Sequence, residues 1–159
     1  MAAGRAHGTW SPASRHSQRS PGVLLVDAAA DNRAMYAESL RAAGFTAIEI
    51  DNTADALALA VTADAIVTGI RVPGPFDGLE LVRRLRADAR TRSKPTIVLT
   101  ACAFDEDRSR ARAAGCDVFL PKPCLPGTVI GEVVRLLGSA IAGSQSIRGT
   151  RRQTRRGVA

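Results

Sequence analysis

The sequence predicts an α/β fold in which five strands and five helices alternate and wind a parallel sheet. Short apolar runs alternate along the chain with longer stretches that carry apolar residues at helical spacing. Most of the short runs are continuously apolar, as expected of strands covered by helices on both faces. The 159 residues are enough for one domain that closes a core without metals or disulfides.

Each predicted strand is a run of mainly aliphatic residues bounded by turn-forming or polar residues. The second run, FTAIEI, is weaker and more alternating than the others. A loop with two prolines and two glycines, RVPGPFDG, follows the third run and excludes regular structure there. The predicted strands are residues 23–27, 45–50, 65–70, 96–100 and 117–121.

The first predicted helix follows Asp31, a residue suited to capping a helix N-terminus. Met35, Leu40 and Ala43 recur at helical spacing, so we expect them to face the core. Gly44 then ends the helix, as glycine commonly does.

The other helices are predicted from the same signals, a capping residue and an apolar face. Thr53 caps the second helix, which ends near Val61. In the third helix, Leu79, Val82 and Leu85 are expected to face inward. The third, fourth and fifth helices are residues 79–88, 105–114 and 126–138.

Strict alternation of this kind favours the flavodoxin-like strand order, a doubly wound (βα)5 three-layer sandwich around a five-stranded parallel sheet. Ligands of such sheets bind beyond the carboxyl ends of the strands. Asp27, Gly69, Thr100 and Lys122 all fall at these ends. This edge of the sheet is therefore the predicted functional site.

The two ends of the chain carry its formal charge of +7. Residues 1–21 hold three arginines and residues 139–159 hold five, and neither segment contains an acid. Residues 22–138 hold 14 basic and 15 acidic residues, a net charge of −1. Because both ends have few apolar residues to bury, we expect two disordered basic tails around a domain of residues 22–138.

The Arg-rich tail, residues 139–159, suggests an alternative function as a nucleic-acid-associated regulator whose arginines contact phosphates. It has no interleaved aromatic residues, which favours a solvated tail. The first tail is acid-free, as transit peptides are, but lacks their apolar stripe, which favours a plain extension. No apolar run approaches the length of a membrane span, so no association with a membrane is predicted.

The three cysteines, Cys102, Cys116 and Cys124, form no CxxC pair, and His7 and His16 both lie in the first tail. A zinc site and a disulfide framework are therefore not expected. The simplest role for the cysteines is as small buried side chains in a reducing cytosol. Cys102 and Cys124 lie in loops at the predicted site, where a redox role is a second interpretation.

Five segments carry a resemblance to a known family. They follow one another across nearly all of residues 22–138 and read VLLVDA, ADAIVTGIRVPG, FDGLELVRRLR, PTIVLTA and AAGCDVFLPKP. Together they resemble the receiver domain of two-component response regulators. The resemblance implies a site at which a histidine kinase passes a phosphoryl group to an aspartate that ends the third strand. That chemistry uses a carboxylate nucleophile, Mg²⁺ held by acidic residues, and a Lys and a Thr or Ser that contact phosphoryl oxygens.

Four positions match the pattern of that family. The resemblance implies that Asp27 is one member of the acidic pair that holds Mg²⁺ and that Thr100 is the hydroxyl that switches toward the phosphate. It likewise implies that Lys122 is the cation that contacts the phosphate and that Phe119 is the aromatic switch residue.

Two positions depart from the pattern: Ala28 stands at the second acidic position and Gly69 at the acceptor position. Glycine has no nucleophile, so no catalytic residue remains. Asp27 is the only Mg²⁺ ligand left, and Mg²⁺ binding is expected to be weak or absent. Thr68 should face the other side of the sheet and Asp77 should start the next helix, so a displaced acceptor is the less favoured alternative.

The three retained residues, Asp27, Thr100 and Lys122, have two interpretations that remain open. They are either a structural remnant, in which the ammonium of Lys122 pairs with Asp27, or a pocket that responds to a ligand. The sequence contains no Gly-rich phosphate loop and no nucleophile elbow, and residues 22–138 contain no histidine, so we do not expect an enzyme.

The main functional hypothesis is an atypical receiver domain of cytoplasmic two-component signalling that accepts no phosphoryl group and acts as a protein-interaction module. The expected partners are a histidine kinase or an output regulator, with a homodimer as a further candidate. The resemblance implies docking through the fourth helix, the fifth strand and the fifth helix, near Arg108, Arg112, Phe119 and Val129. An active receiver with a displaced acceptor is the other alternative.

Overall fold

The structure, a computed structural model, describes the backbone of residues 19–150 and the side chains of residues 19–139. Five parallel strands form one sheet in the order β2-β1-β3-β4-β5. The strands are β1 (Gly22–Val26), β2 (Thr46–Ile50), β3 (Ala65–Thr68), β4 (Thr96–Thr100) and β5 (Val118–Pro121). The helices are α1 (Ala30–Ala42), α2 (Thr53–Leu59), α3 (Gly78–Ala87), α4 (Asp105–Ala114) and α5 (Pro126–Thr150). The predicted flavodoxin-like fold is confirmed.

Helices cover both faces of the sheet. Alternate residues of the central strands point to opposite sides, so both faces carry apolar side chains that must be buried. Val23 and Leu25 of β1 pack in a cluster with residues of α1 and α5, whereas Leu24 and Val26 pack with residues of α2 and α3. A third cluster lies beneath α3 and α4. All residues of β1, β3 and β4 are buried, which explains their continuously apolar sequences.

The register of the strands brings their carboxyl ends to one edge. Val26 is paired with Thr68 across β1 and β3, and Thr68 with Val98 across β3 and β4. The amide of Gly69 continues the ladder by donating to the carbonyl of Val26 at 2.9 Å. Asp27 therefore lies beside Gly69, the residue that follows β3.

The predicted start of α1 was wrong. The N-cap is Ala29, and Asp31 lies in the first helical turn. The carboxylate of Asp27 accepts the amide of Ala29 at 2.8 Å, which turns the chain into the helix earlier than a cap at Asp31 would.

The predicted inner face of α1 was wrong for Met35 and Ala43 and right for Leu40. The buried face of α1 is Tyr36, Ala37 and Leu40, whereas Met35 is 42% exposed. Met35 precedes Tyr36 by one residue, which rotates its side chain about 100° around the helix and toward solvent.

The N-cap of α2 lies one residue before the predicted cap, Thr53. Asn52 is the N-cap, and its side-chain oxygen accepts the amide of Asp55 at 2.8 Å. The hydroxyl of Thr53 donates instead to the carbonyl of Phe76 at 2.7 Å, and the Thr53 amide donates to the carbonyl of Pro73 at 2.9 Å. Thr53 therefore fastens the proline-rich loop after β3 to the start of α2.

The last helix is longer than predicted and runs to Thr150. The predicted end at Gly138 was wrong, because one glycine disfavours a helix by only about 1 kcal/mol and no proline follows it. Residues 139–150 are thus helical, contrary to the predicted disorder of this part of the tail. The rest of that tail, residues 151–159, lies outside the described residues, as does most of the first tail, residues 1–18.

The first strand is preceded by residues that contact the domain. The guanidinium of Arg19 pairs with the carboxylate of Asp64 at 2.9 Å, and the carbonyl of Pro21 accepts the amide of Thr46 at 2.9 Å. Arg19 and Pro21, which precede the predicted start of the domain at residue 22, thus contact it. Within the described part of the chain, none of the helices is long and apolar enough to cross a membrane.

Candidate functional site

A cavity of about 260 Å³ opens at the carboxyl edge of the sheet, where the sequence predicts the site. It lies between the loops that follow β1, β3, β4 and β5. Six of the residues singled out from the sequence line it, namely Asp27, Ala28, Gly69, Thr100, Cys102 and Lys122. The fold therefore brings the predicted site together from four separate segments.

Asp27 and Lys122 form a buried ion pair at this cavity. The ammonium of Lys122 donates to Oδ2 of Asp27, and both side chains are largely shielded from solvent. Oδ1 of the same carboxylate accepts the amide of Ala29. Both oxygens of the carboxylate are thus engaged within the chain, as a buried charge requires.

Thr100 ends β4 and joins two of the loops around the cavity. Its carbonyl accepts the amide of Lys122 at 2.8 Å, and its hydroxyl oxygen accepts the amide of Cys102 at 3.1 Å. These bonds fix the position of the hydroxyl at the cavity wall. The peptide bond between Lys122 and Pro123 is cis.

The backbone at Gly69 leaves room for a β-carbon. A Cβ added there would lie 3.5 Å from Cγ2 of Val72 and 3.7 Å from the carbonyl oxygen of Leu99, which are ordinary van der Waals distances. The backbone therefore does not require glycine at this position.

Gly78, by contrast, is required by a close contact at the start of α3. A Cβ on Gly78 would lie 1.7 Å from the carbonyl oxygen of Gly69. The amide of Gly78 also donates to the carbonyl of Ile70 at 2.8 Å. The start of α3 is thus in direct backbone contact with the segment that ends β3.

Thr68 and Asp77, the two residues considered as displaced acceptors, are held away from the cavity. Thr68 is fully buried, and its hydroxyl donates to the carbonyl of Gly69 at 3.0 Å. Asp77 is the N-cap of α3, and its carboxylate accepts the amide of Glu80 at 2.9 Å. Neither is among the residues that line the cavity.

Phe119 lies apart from the cavity, beneath α4. It is 8% exposed and packs with Ile70, Val98 and Ala111. The guanidinium carbon of Arg108 lies 4.8 Å from the centre of its ring, within the range of a cation–π contact. Phe119 therefore occupies an inward position covered by an α4 side chain.

The environments of two cysteines disfavour a reactive thiolate. Burial raises the pKa of Cys116 and that of Cys124 above the ordinary thiol value. Tyr36 donates its hydroxyl to the carbonyl of Cys124 at 2.7 Å, and burial likewise raises the pKa of Tyr36. Cys102 lines the cavity through the loop after β4.

The cavity does not fit Mg²⁺ well. Asp27 is the single carboxylate among the described residues that line it, and its charge is already paired with Lys122. Mg²⁺ prefers several hard oxygen ligands in octahedral geometry. No group of three or more His, Cys, Asp or Glu side chains that could hold a metal occurs in the described part of the chain.

Three polar residues near the cavity were not singled out from the sequence. Asn32 and Arg71 line it, and the guanidinium of Arg33 donates to the carbonyl of Asp27 at 2.7 Å. Arg71 lies two residues after Gly69, so its place after a strand end was the signal that could have marked it. Asn32 and Arg33 lie in the first turn of α1. The predicted helix start at Asp31 gave no indication that this turn borders the cavity.

A parallel sheet in this strand order, with an aspartate, a threonine and a lysine gathered at its carboxyl edge, is the architecture of a signalling receiver. The family model described as response regulator receiver domain matches residues 23–133. The chain belongs to this family.

Curated relatives agree with this assignment. The chain is 33% identical over 117 residues to the phosphate regulon transcriptional regulatory protein PhoB of Pseudomonas aeruginosa, covering 72% of this chain and 51% of PhoB. It thus spans about half of that relative. The chain is 31% identical over 120 residues to the polar-differentiation response regulator DivK of Brucella anthropi, covering 74% of this chain and 97% of DivK.

Solved structures show the same fold. The receiver domain of the sensor histidine kinase PA1611 from Pseudomonas aeruginosa matches with a TM-score of 0.69 and 29% identity, covering 75% of this chain and 98% of that one. That structure has a magnesium ion coordinated in its active site cleft. The chemotaxis response regulator CheY4 of Vibrio cholerae matches with a TM-score of 0.68 and 27% identity, covering 74% of this chain and 98% of that one.

Proposed function

We propose that this chain is an atypical receiver domain that accepts no phosphoryl group and acts in cytoplasmic two-component signalling by binding other proteins. The observation that carries the proposal is the composition of the cavity: Gly69 and Ala28 line it, and Asp27 is the one carboxylate among the described residues that do. An acyl phosphate needs a carboxylate oxygen to attack phosphorus, and position 69 offers none.

The remaining carboxylate is poorly suited to replace the acceptor. Asp27 already accepts bonds from Lys122 and from the amide of Ala29, so attack on phosphorus would require it to leave both. Thr68 and Asp77 are each held in a hydrogen bond outside the cavity. Phosphoryl transfer requires sub-ångström positioning of nucleophile and metal, which these contacts oppose.

Partner binding is assigned to the face of α4, β5 and α5, with a revised set of contact residues. Phe119 and Val129 are 8% and 1% exposed, so they pack inside the domain and do not meet a partner directly. Arg112 is exposed, and Arg108 is half-buried over Phe119. The arginines of α4 are therefore the side chains through which this face would contact an acidic surface of a histidine kinase, an output regulator or a second copy.

The proposal is tested by incubating the protein with Mg²⁺ and acetyl phosphate and measuring its intact mass. We expect no increase of about 80 Da, the mass of a phosphoryl group. A hydroxylamine-sensitive adduct of that mass would overturn the proposal. A second measurement compares the affinity for a purified partner kinase with and without acetyl phosphate, and we expect the two affinities to be equal.

A further inference from the structure

Helix α2 is apolar around most of its circumference. Residues 53–61, which include the helix, hold one charged side chain, Asp55. Ala56 and Ala60 point to the core and are fully buried. A surface helix normally carries one apolar stripe, but here a second row follows the helical spacing i, i+3, i+4 and i+7. This second row is Ala54, Leu57, Ala58 and Val61.

The second row forms one wall of a groove of about 760 Å³ between α2 and α3. The end of α3 and the loop before β4 form the other wall, with Ala87, Ala89 and Thr91. Ala54 and Ala58 are exposed on the first wall, and Ala87 and Ala89 on the second. The domain thus leaves an apolar groove open on its surface, which is a feature of interaction sites.

Arginines border this groove. Arg84 and Arg90 line it, and Asp88 is the one acid among the described residues that do. The guanidinium of Arg90 donates to Asp88 at 2.8 Å, and Arg84 pairs with Glu80 at 3.3 Å. Residues 83–94 nevertheless hold six basic residues against one acid. The groove and its border therefore complement an apolar side chain that is flanked by acids.

The chain carries such a group at the start of α4. Phe104 is 77% exposed, more than any other large apolar side chain of residues 19–139, and three acids follow it directly. The carboxylate of Asp107 accepts the amide of Phe104 at 3.2 Å, which fixes the backbone that carries the ring. Within the same residues, Asp105 and Glu106 form no ion pair. Their charges are therefore available to a partner.

The groove and Phe104 lie at opposite edges of the sheet. The groove is next to the segments that enter β3 and β4, whereas Phe104 follows the carboxyl end of β4. The five residues of β4 separate the two edges by about 17 Å. Phe104 can therefore meet this groove in another copy of the chain but not in its own domain.

We infer that the chain associates with a second copy of itself by docking Phe104 into the groove between α2 and α3 of its neighbour. Asp105 and Glu106 then lie against the arginines of the groove, where opposite charges attract. The contact involves one aromatic side chain and one helical turn, so we expect a dissociation constant of about 0.1 mM. It uses none of the residues that line the carboxyl-edge cavity, so it goes beyond the proposed function and does not depend on phosphoryl transfer.

The test measures the weight-average mass of the full chain by sedimentation equilibrium, from about 10 µM to about 1 mM protein. Salt is kept at about 50 mM, where exposed charges are little screened. We expect the mass to rise with concentration above that of one chain. A mass that stays at that of one chain throughout would overturn the inference and leave the groove to a different acidic protein.

Two matched pairs of variants locate the contact. Phe104→Ser should weaken association at least about tenfold, whereas Leu125→Ser removes a side chain that is 76% exposed outside the contact and should leave it unchanged. Ala58→Glu places an acid in the groove and should weaken association by a similar factor. Ala34→Glu changes an exposed alanine of α1 and should have no effect. Equal effects within either pair would refute this docking mode.

An exchange of charges tests whether the two surfaces meet in different copies. One variant carries Asp105→Arg with Glu106→Arg, and the other carries Arg84→Glu with Arg90→Glu. Far-UV circular dichroism verifies that both variants are folded. Each alone should associate at least about tenfold more weakly, because like charges then face each other. An equimolar mixture should regain association, and a mixture that associates no better than its components would contradict the inference.

Discussion

Lys122 contacts the carboxylate of Asp27 across 95 residues of sequence, and the pair joins the loop after β5 to the end of β1. The contact gives each buried charge its partner. Both side chains line the cavity that Gly69 also lines, at the position where the family places its acceptor.

Breaking this pair should destabilise the domain. Asp27→Asn leaves the ammonium of Lys122 without its counter-ion in a largely buried place, and we expect the free energy of unfolding to fall by about 3 kcal/mol. Urea denaturation measures this change. The double variant Asp27→Asn with Lys122→Gln should be more stable than the sum of the single changes predicts, by about 1 kcal/mol or more. Strict additivity would show that the two side chains do not interact.

Gly78→Ala should be strongly destabilising because its Cβ would overlap the carbonyl oxygen of Gly69, 1.7 Å away. Relief requires the start of α3 to move, at a cost of about 3 kcal/mol or more. The matched control is Gly131→Ala in α5, where no atom lies within 4 Å of the added Cβ. That change should stabilise the helix by about 0.5–1 kcal/mol. Thermal unfolding of both variants checks the contrast, and equal stabilities would contradict it.

Arg86 is predicted to be the most important surface arginine for stability. Its guanidinium donates to the carbonyls of Gly115, Arg92 and Lys94 and to the carboxylate of Asp117, at 2.8 to 2.9 Å. Arg86→Gln should lower the free energy of unfolding by about 2–3 kcal/mol.

The control for this prediction is another arginine of α3. Arg83 makes one exposed ion pair with Glu80, so Arg83→Gln should change stability by about 0.5 kcal/mol or less. Chemical denaturation of the two variants gives the free energies of unfolding to be compared. A loss at Arg83 as large as that at Arg86 would contradict the assignment.

Asp88 should titrate in the acid range. Hydrogen bonds from the side chain and then the amide of Arg90 lower the pKa of Asp88 from 3.8 to about 2. Since the folded-state pKa is depressed, the stabilisation is present above pH 3.8 and is lost as the pH falls through about 2. Carboxyl carbon resonances report the midpoint directly. Arg90→Gln should move it upward, and an unmoved midpoint would exclude Arg90 as the cause.

Restoring both acids should restore phosphoryl transfer. The pair Ala28→Asp and Gly69→Asp supplies the two missing carboxylates, and the space at Gly69 accepts a Cβ at ordinary distances. We expect a hydroxylamine-sensitive gain of about 80 Da with acetyl phosphate and Mg²⁺. The corresponding double Asn variant has the same shape without the charge and should show no adduct. Identical spectra for the two would contradict the prediction.

Much of the fold could be predicted because its signals are local. The fourth helix was placed at its observed bounds, since three acids open it and Gly115, with a φ of 107°, ends it. The inner face of α1 was missed because Met35 is as apolar as its neighbours, and only packing against β1 and α5 selects Tyr36 instead. The end of α5 was missed because one glycine is a weak stop signal.

The sequence predicted which residues of the site lie together, but only part of how they contact one another. Strand ends placed Asp27, Gly69, Thr100 and Lys122 at one edge, and the cavity contains all four. The Asp27–Lys122 pair was one of two interpretations, since charge alone cannot show which partner a lysine reaches. Arg71 was missed because the irregular loop that carries it has no periodicity from which a direction could be inferred.

A Cβ at Gly69 would lie at ordinary distances from its neighbours, so the fold and the phosphoryl chemistry place different requirements on this position. No side chain at position 69 is needed to hold the sheet, the Asp27–Lys122 ion pair or the backbone contact at Gly78 in place. The shape of the backbone at position 69 is therefore independent of the residue that stands there, so the loss of the acceptor carboxylate is a change of chemistry and not of fold.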